Sequence, residues 1–279
     1  MARIIGILTG WSCEDWIEPA IKQGLEYTDE LHVCISAHSD NLLKFEDNTL
    51  DIAMQYKDQA IVSTYQKRSV HSETKANILN YCLSNSKYME EENWIWVLDV
   101  DEFFKQDSYE YVKKLISANI CDQICFEAKF FYIDTKHYIL SDHNRLFKIK
   151  DKNNRFYPTQ QWRYGNRLCR VHVDLGMFHY SMLQNPYMKM EFWKSEYSYE
   201  QNHKLQWLDK IYRNYDLKNE EYWLEQNKKL TGNYGPWISD SFVPQVDGTL
   251  YKYEGKHPKL VEEKGFTKIE DYRKHWKFT

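Results

Sequence analysis

Trp94-Ile95-Trp96-Val97-Leu98-Asp99-Val100-Asp101-Glu102-Phe103-Phe104 is the stretch on which the fold turns. Its five consecutive apolar residues are too few for a membrane span and suit a strand buried on both faces, as in a parallel sheet. The run then stops at three carboxylates. Two aspartates one residue apart at the carboxyl end of a buried strand stand where open α/β sheets bind ligands. Clustered negative charges also repel one another unless a cation joins them. Asp99 and Asp101 therefore read as a divalent-metal and phosphate-handling site, the plain alternative being a strand end with solvated acids.

Upstream, the grammar is strand-helix-strand. Ile4-Ile5-Gly6-Ile7-Leu8 is a short apolar run closed by Gly10, which predicts a first buried strand. Ile17, Ala20, Ile21, Gly24 and Leu25 then cover one face of a helix whose acids crowd its first turn, with Pro19 expected to limit how early that helix begins. Leu31, Val33 and Ile35 mark a second strand and residues 60–65 a third. Between 72 and 87, Ala76, Leu79, Cys82 and Leu83 recur at helical steps. Parallel strands joined by right-handed crossovers follow from this pattern. The strand ends at Thr9-Gly10-Trp11, His38-Ser39-Asp40, 65–68 and Asp99 to Asp101 should then share one edge of the sheet, where a bound nucleotide would touch all of them.

Downstream, a short helix over 107–118 gives way to strand-like segments at 124–133, 145–149 and 168–180. Strands followed by strands suggest an antiparallel extension suited to a second substrate. Helical patterns return at 196–215 and 220–230, and the Gly-, Pro- and aromatic-rich tail from 231 reads as an ordered wrap. The expected class is α/β: a Rossmann-like, mainly parallel sheet with an antiparallel acceptor-side extension and a helical C-terminal appendage. The expected division is a catalytic domain over 1–190 and a helical region over 191–279 packed on the same core.

A chain of 279 residues can bury a full core without staples. A net charge of −4 gives no strong footprint for nucleic acid and disfavours it as an acceptor. No apolar run approaches the ~20 residues of a membrane span, and no signal-peptide layout opens the chain, so a soluble cytoplasmic protein is expected. The six cysteines are scattered without the second close pair or nearby histidines that zinc requires, and read as reduced buried thiols.

With these residues in hand, the chain resembles the GT-A-fold, family 2-like glycosyltransferases over roughly residues 3–190. Four pieces carry the likeness: the Trp11 to Ile17 loop with the strand ending at Ser39-Asp40; Lys75-Ala76-Asn77 with Leu79-Asn80; Leu98-Asp99-Val100-Asp101-Glu102; and Arg145-Leu146-Phe147-Lys148 followed by His179-Tyr180-Ser181. The resemblance implies transfer of a sugar from a nucleotide-sugar donor, UDP- or GDP-linked, to a hydroxyl of a glycan or related acceptor. A divalent ion, Mn²⁺ or Mg²⁺, would be held by Asp101 with Asp99 helping or holding the ribose, and His179 would be a third ligand whose imidazole suits Mn²⁺. Asp40, with Thr9, Gly10, Trp11 and Glu14, would take base and ribose, and Lys75 and Arg145 would face phosphate. Relatives often place a His-Glu pair between the Arg-Leu-Phe and His-Tyr segments, and this chain has none there. Asp174, Asp142 and Glu127 are the carboxylates left to act as catalytic base.

Two rival classes remain. Phosphatases of the haloacid-dehalogenase type also carry Asp-x-Asp after a buried strand, but normally on the first strand and followed by Thr or Val. Here the motif follows three strands and continues Glu102-Phe103. A non-catalytic sugar-binding module would explain the aromatic content of 16%, yet it needs no acid cluster at a sheet edge.

Overall fold

A computed structural model describes residues 2–131, 135–158, 161–162, 167–171, 176–180, 183, 188, 191, 210–211, 219–231 and 251–265. The chain divides into two compact units, Met1–Glu127 with His143–Met177, and Ala128–Asp142 with Phe178–Thr279.

The first unit opens with strand β1 (Ile4–Gly10), helix α1 (Glu14–Tyr27), strand β2 (Glu30–Ile35), a 3₁₀ turn (Asp40–Phe45), helix α2 (Thr49–Met54) and strand β3 (Ile61–Ser63). Helix α3 (His71–Ser84), strands β4 (Trp94–Asp99) and β5 (Glu102–Phe104) and helix α4 (Gln106–Ala118) follow. Then come β6 (Gln123–Phe131), β7 (His137–Lys148), the short pair β8 (Phe156–Tyr157) and β9 (Gln161–Trp162), and β10 (Leu168–Val171).

The sheet order runs β3-β2-β1-β4-β7-β6. The first four strands are parallel, with Thr9 opposite Cys34 on one side and Asp99 on the other. Strand β7 is antiparallel to β4, with Trp94 opposite Lys148. This is the mainly parallel, Rossmann-like α/β class expected from the sequence, with its antiparallel extension. The apolar runs of β1, β2 and β4 are buried along almost their whole length because helices cover both faces. Alternation along β4 sends Ile95 and Val97 into a cluster with Ile5, Ile7, Ala76, Ile78 and Leu79 beneath α3. It sends Trp96 the other way, where it stacks on Tyr27 of α1 and on Phe126.

Two local expectations needed revision. Helix α1 starts at Glu14 and runs straight through Pro19, although proline was expected to delay its start. The first turn is built instead on Cys13, whose carbonyl accepts from the amides of Trp16 and Ile17. Groups from the α2 region satisfy the amides ahead of these: Thr49 Oγ1 takes the Cys13 amide at 2.8 Å and Asp47 takes that of Glu14 at 3.1 Å. External capping of this kind lets the helix tolerate the one intrahelical hydrogen bond that Pro19 cannot donate. Helix α2 and the 3₁₀ turn lie in a stretch for which the sequence pattern predicted no element.

In the second unit, β7 residues His137 and Tyr138 pair with strand β12 (Tyr251–Lys252), and an aromatic group gathers Phe131, Tyr138, Phe178, Tyr180, Tyr253 and His257. The phenol of buried Tyr180 hydrogen-bonds His257 Nδ1 at 2.7 Å. Strand β11 (Met177–His179) leads into this group. Helices cover Glu220–Thr231 and Lys259–Glu263. The 196–215 pattern falls outside the described residues except at 210–211. No helix among the described residues is long and apolar enough to cross a membrane.

Candidate functional site

From β1 the chain moves outward to β2 and β3, then returns on the other side of β1 as β4. The carboxyl ends of β1 and β4 therefore flank the point where strand order reverses, which in open α/β sheets opens a crevice for ligands. Thr9 and Asp99 face each other in register there. Gly10 follows Thr9, and a Cβ on it would lie 2.7 Å from Val100 and 2.8 Å from Cys13 Sγ. Only a glycine lets the chain pass the acid loop so closely.

Helix α3 leaves the same edge, so its early turns lie beside the acids. Lys75, in its second turn, is buried, and its ammonium meets Asp99 Oδ1 at 2.6 Å. Arg145 comes from β7, which runs antiparallel to β4 and delivers its side chain to the same place. Its Nη2 reaches Asp99 Oδ2 at 3.2 Å, while its Nε donates to Glu102 Oε2 at 2.6 Å and Nη2 also donates to Glu102 Oε1. Both oxygens of Asp99 thus accept from cations, and both oxygens of Glu102 accept from one guanidinium in the fork geometry that Arg favours.

Glu102 is itself fixed from behind. The buried amide of Gln23 in α1 donates to the Glu102 carbonyl at 3.0 Å and accepts from the Phe104 amide at 2.8 Å. The ring of Trp16 packs on Phe103 between them, 5.8 Å centroid to centroid. Helix α1 therefore holds the backbone of β5, β5 holds Glu102, Glu102 holds Arg145, and Arg145 holds Asp99. Burial pushes the Glu102 carboxyl above its ordinary range against the pull of Arg145, with the Asp99 charge adding to the upward push. Burial works against the charged form of Arg145, but Glu102 and Asp99 more than offset it, and its pKa moves up. The guanidinium stays charged at every physiological pH.

Asp101 is buried close enough to Arg145 to favour its charge. Taken together, three carboxylates (Asp99, Asp101, Glu102) and two cations (Lys75, Arg145) give these five side chains a formal charge of −1. His143, two residues before Arg145 and so on the same face of β7, accepts at its Nδ1 from Arg145 Nη2 at 3.1 Å. Glu102 and His143 offer potential ligand atoms within 4.8 Å of each other.

Elsewhere on this edge, Trp11 donates its indole N–H to the Leu42 carbonyl at 2.8 Å. Glu14 is turned to Asn48, accepting from its side-chain amide at 2.9 Å. Asp40 is exposed and takes Arg68 Nε at 2.6 Å. His38 and His71 approach at Nδ1 to 2.8 Å. Of the remaining expected residues, Glu127 closes the first unit half-buried on β6, while Asp142, on β7, and His179 belong to the second unit. His179 is buried there with its ring edge-on to Phe130 at 4.7 Å. Asp174 lies outside the described residues.

No family model matches the chain, and no curated protein matches it. Among solved structures, it is similar to residues 1–349 of S. aureus TarS, with 10% sequence identity, coverage of 82% of this chain and 80% of that one, and a TM-score of 0.41. It is also similar to 4-diphosphocytidyl-2C-methyl-D-erythritol synthase, with 13% identity, coverage of 53% and 76%, and a TM-score of 0.32. Likenesses this weak carry no weight for function, and the fold class rests on the strand order itself.

The sequence pointed to the Asp99 and Asp101 pair as one site and, through the resemblance, to Lys75 and Arg145 on its phosphate side. Asp99 joins Lys75 and Arg145 in one cluster, and Asp101 lies beside it. What the sequence reading missed are the holders: Gln23, the Glu102 fork and His143. The His-x-Arg alternation running into the predicted strand at 145–149 was the available signal for His143. A lone glutamine on a helix face gives none.

Proposed function

We propose that this chain is a metal-dependent glycosyltransferase that moves a sugar from a nucleotide-sugar donor, UDP- or GDP-linked, to a hydroxyl of a glycan or related acceptor. The observation that carries the reading is the register of Thr9 with Asp99 at the reversal point of a parallel sheet, with two buried cations and a second aspartate gathered on the same spot. A nucleotide diphosphate needs that combination: an edge for base and ribose, cations for the phosphates, and an acid for a divalent ion. The simple phosphatase reading needs Asp99 as a nucleophile, whereas here both its oxygens are taken by Lys75 and Arg145.

In this reading the Thr9 to Trp11 edge, with Asp40 and Glu14, takes base and ribose. Lys75 and Arg145 face the diphosphate, and preorganised cations of this kind stabilise charge that develops on the leaving group without reorganising. Asp101 holds the divalent ion, with Asp99 assisting or meeting the ribose, and His179 as the proposed third ligand. When bound, that ion supplies Lewis-acid neutralisation of the leaving diphosphate. The acceptor hydroxyl must lose its proton to a carboxylate, for which Asp174, Asp142 and Glu127 are the proposed groups.

Thermal melts with a panel of nucleotide sugars, with Mn²⁺ and with EDTA, test this. A cognate donor should raise the melting temperature by mass action only when the ion is present. Asp101→Ala should abolish that shift and lower transfer by orders of magnitude while the apo protein stays folded. Near-normal transfer by Asp101→Ala would remove the ion from the mechanism.

A further inference from the structure

Asp99 and Glu102 meet the same guanidinium in different ways. Glu102 is fully buried and takes two hydrogen bonds from Arg145, whereas Asp99 retains 17% of its side-chain surface, takes one bond from Arg145 at 3.2 Å and takes Lys75 at 2.6 Å. Glu102 is the fixed partner and Asp99 the one with a way out. Lys75 and Arg145 are the reverse of ordinary surface cations, with only 7% and 8% of their side-chain surfaces exposed. Burying two cations is costly unless an anion faces them. One carboxylate bridging both, an oxygen to each, does what two oxygens of a phosphate would do.

We propose that Asp99 is an internal stand-in for the donor's diphosphate: in the free protein it occupies Lys75 and Arg145, and an incoming diphosphate displaces it from them. The inference rests on the nucleotide-sugar reading for the identity of the anion, but the subsite itself is defined by the two cations and by the Glu102 fork that keeps Arg145 in place after the exchange. Asp99 is then a positioning residue with two states. In the free protein it keeps the cations desolvated and aligned. With diphosphate bound it is released toward the ion at Asp101, so phosphate and metal bind with mutual reinforcement, as linkage requires.

Displacement predicts a sign that other roles do not. A carboxylate that competes with the ligand weakens its binding, so neutralising it at constant shape should tighten binding in the absence of metal. The probe is inorganic pyrophosphate in EDTA, followed by calorimetry on the full chain, for wild type, Asp99→Asn and Lys75→Gln. Asp99→Asn should bind pyrophosphate about tenfold more tightly than wild type, and Lys75→Gln about tenfold more weakly. The enhancement that Mn²⁺ gives to pyrophosphate binding should shrink in Asp99→Asn.

Unchanged or weaker metal-free binding in a folded Asp99→Asn would overturn the exchange. Should Asn at 99 prevent folding, unchanged affinity in Lys75→Gln would overturn it equally. The outcome is separable from the fate of the transferase reading. Tighter pyrophosphate binding in Asp99→Asn, together with no stabilisation by any nucleotide sugar, would keep the exchange and discard sugar transfer.

Discussion

Twice in the first unit, among the described residues, an aspartate is held between a lysine and an arginine, and the two arrangements are built in opposite ways. At the carboxyl edge of the parallel strands, Asp99 is partly open and its two cations are buried. At the other edge, where Lys148 pairs with the start of β4, Asp122 is buried to 1% while its two cations, Lys150 and Arg167, are 41% and 54% exposed. Burying the acid and leaving the cations wet satisfies the carboxylate and costs little, because long basic side chains keep their charge in water. Burying the cations makes sense when something anionic is to arrive from outside. The first arrangement stabilises the fold. The second keeps positive charge dry at the strand-end edge of the sheet, which suits ligand binding better than stability.

The comparison is most exposed at Arg145. Arg145→Met leaves Glu102 buried without its fork and Asp99 with one cation, and removing one partner of a buried pair costs about 3 to 5 kcal/mol. Urea unfolding should show a loss of that size, together with loss of pyrophosphate binding. A loss under 1 kcal/mol would mean that the cluster is not as dry as the geometry has it.

At the other cluster the effect should be smaller and tied to pH. Arg167 and Lys150 hold the Asp122 carboxyl below its usual range, at about 2, although its burial pushes the other way. A depressed carboxyl adds stability that is present above the unfolded value near ~4 and is lost as pH falls through about 2. Asp122→Asn should therefore cost about 1 to 2 kcal/mol at pH 7, a figure reduced for the half-exposed partners. The gap to wild type should close as pH is lowered from about 4 toward 2, and nucleotide binding at pH 7 should be untouched. A gap that persists at the low end would show that hydrogen bonding by shape, not charge, holds this corner.

The sequence exposed one of these clusters far better than the other. Asp99 and Asp101 announce themselves because they end a fully apolar run, and Lys75 is singled out by the resemblance, in the early turns of a helix that Ala76, Leu79 and Leu83 mark. Asp122 carried no such mark: it follows a helix end at Asn119, and its partners are 28 and 45 residues away. Long-range polar pairs leave no periodic trace. The same holds for Gln23, whose hydrogen bonds to β5 span 79 and 81 residues, and for Glu102, which looks like a third ligand in an acid run but serves as the anchor of Arg145. Strand β7 was recognised only at 145–149, because its earlier part, His137 to Asn144, mixes polar with apolar residues and is only partly buried. Antiparallel pairing with β4 and β12, rather than its own pattern, makes it a strand.

The smallest expected effect is the sharpest check on the contrast. In Lys150→Met the ammonium 2.8 Å from Asp122 Oδ2 is lost, but Arg167 Nη2 remains on Oδ1 at 3.1 Å, so the acid keeps a charged partner. Lys150 is also 41% exposed, and its share of the attraction is screened by water and salt. The cost should stay below about 1 kcal/mol and fall further between low and physiological ionic strength, where the screening length drops to about 8 Å. Lys75 makes the same kind of contact, 2.6 Å to an aspartate that has an arginine as second partner, yet it is 7% exposed. Lys75→Met should cost clearly more than Lys150→Met and show little salt dependence. Equal costs and equal salt slopes in the two variants, measured side by side by urea unfolding, would mean that burial of the cation makes no difference, and the reading of the Asp99 cluster as an anion site that Asp99 fills in the free protein would lose its physical basis.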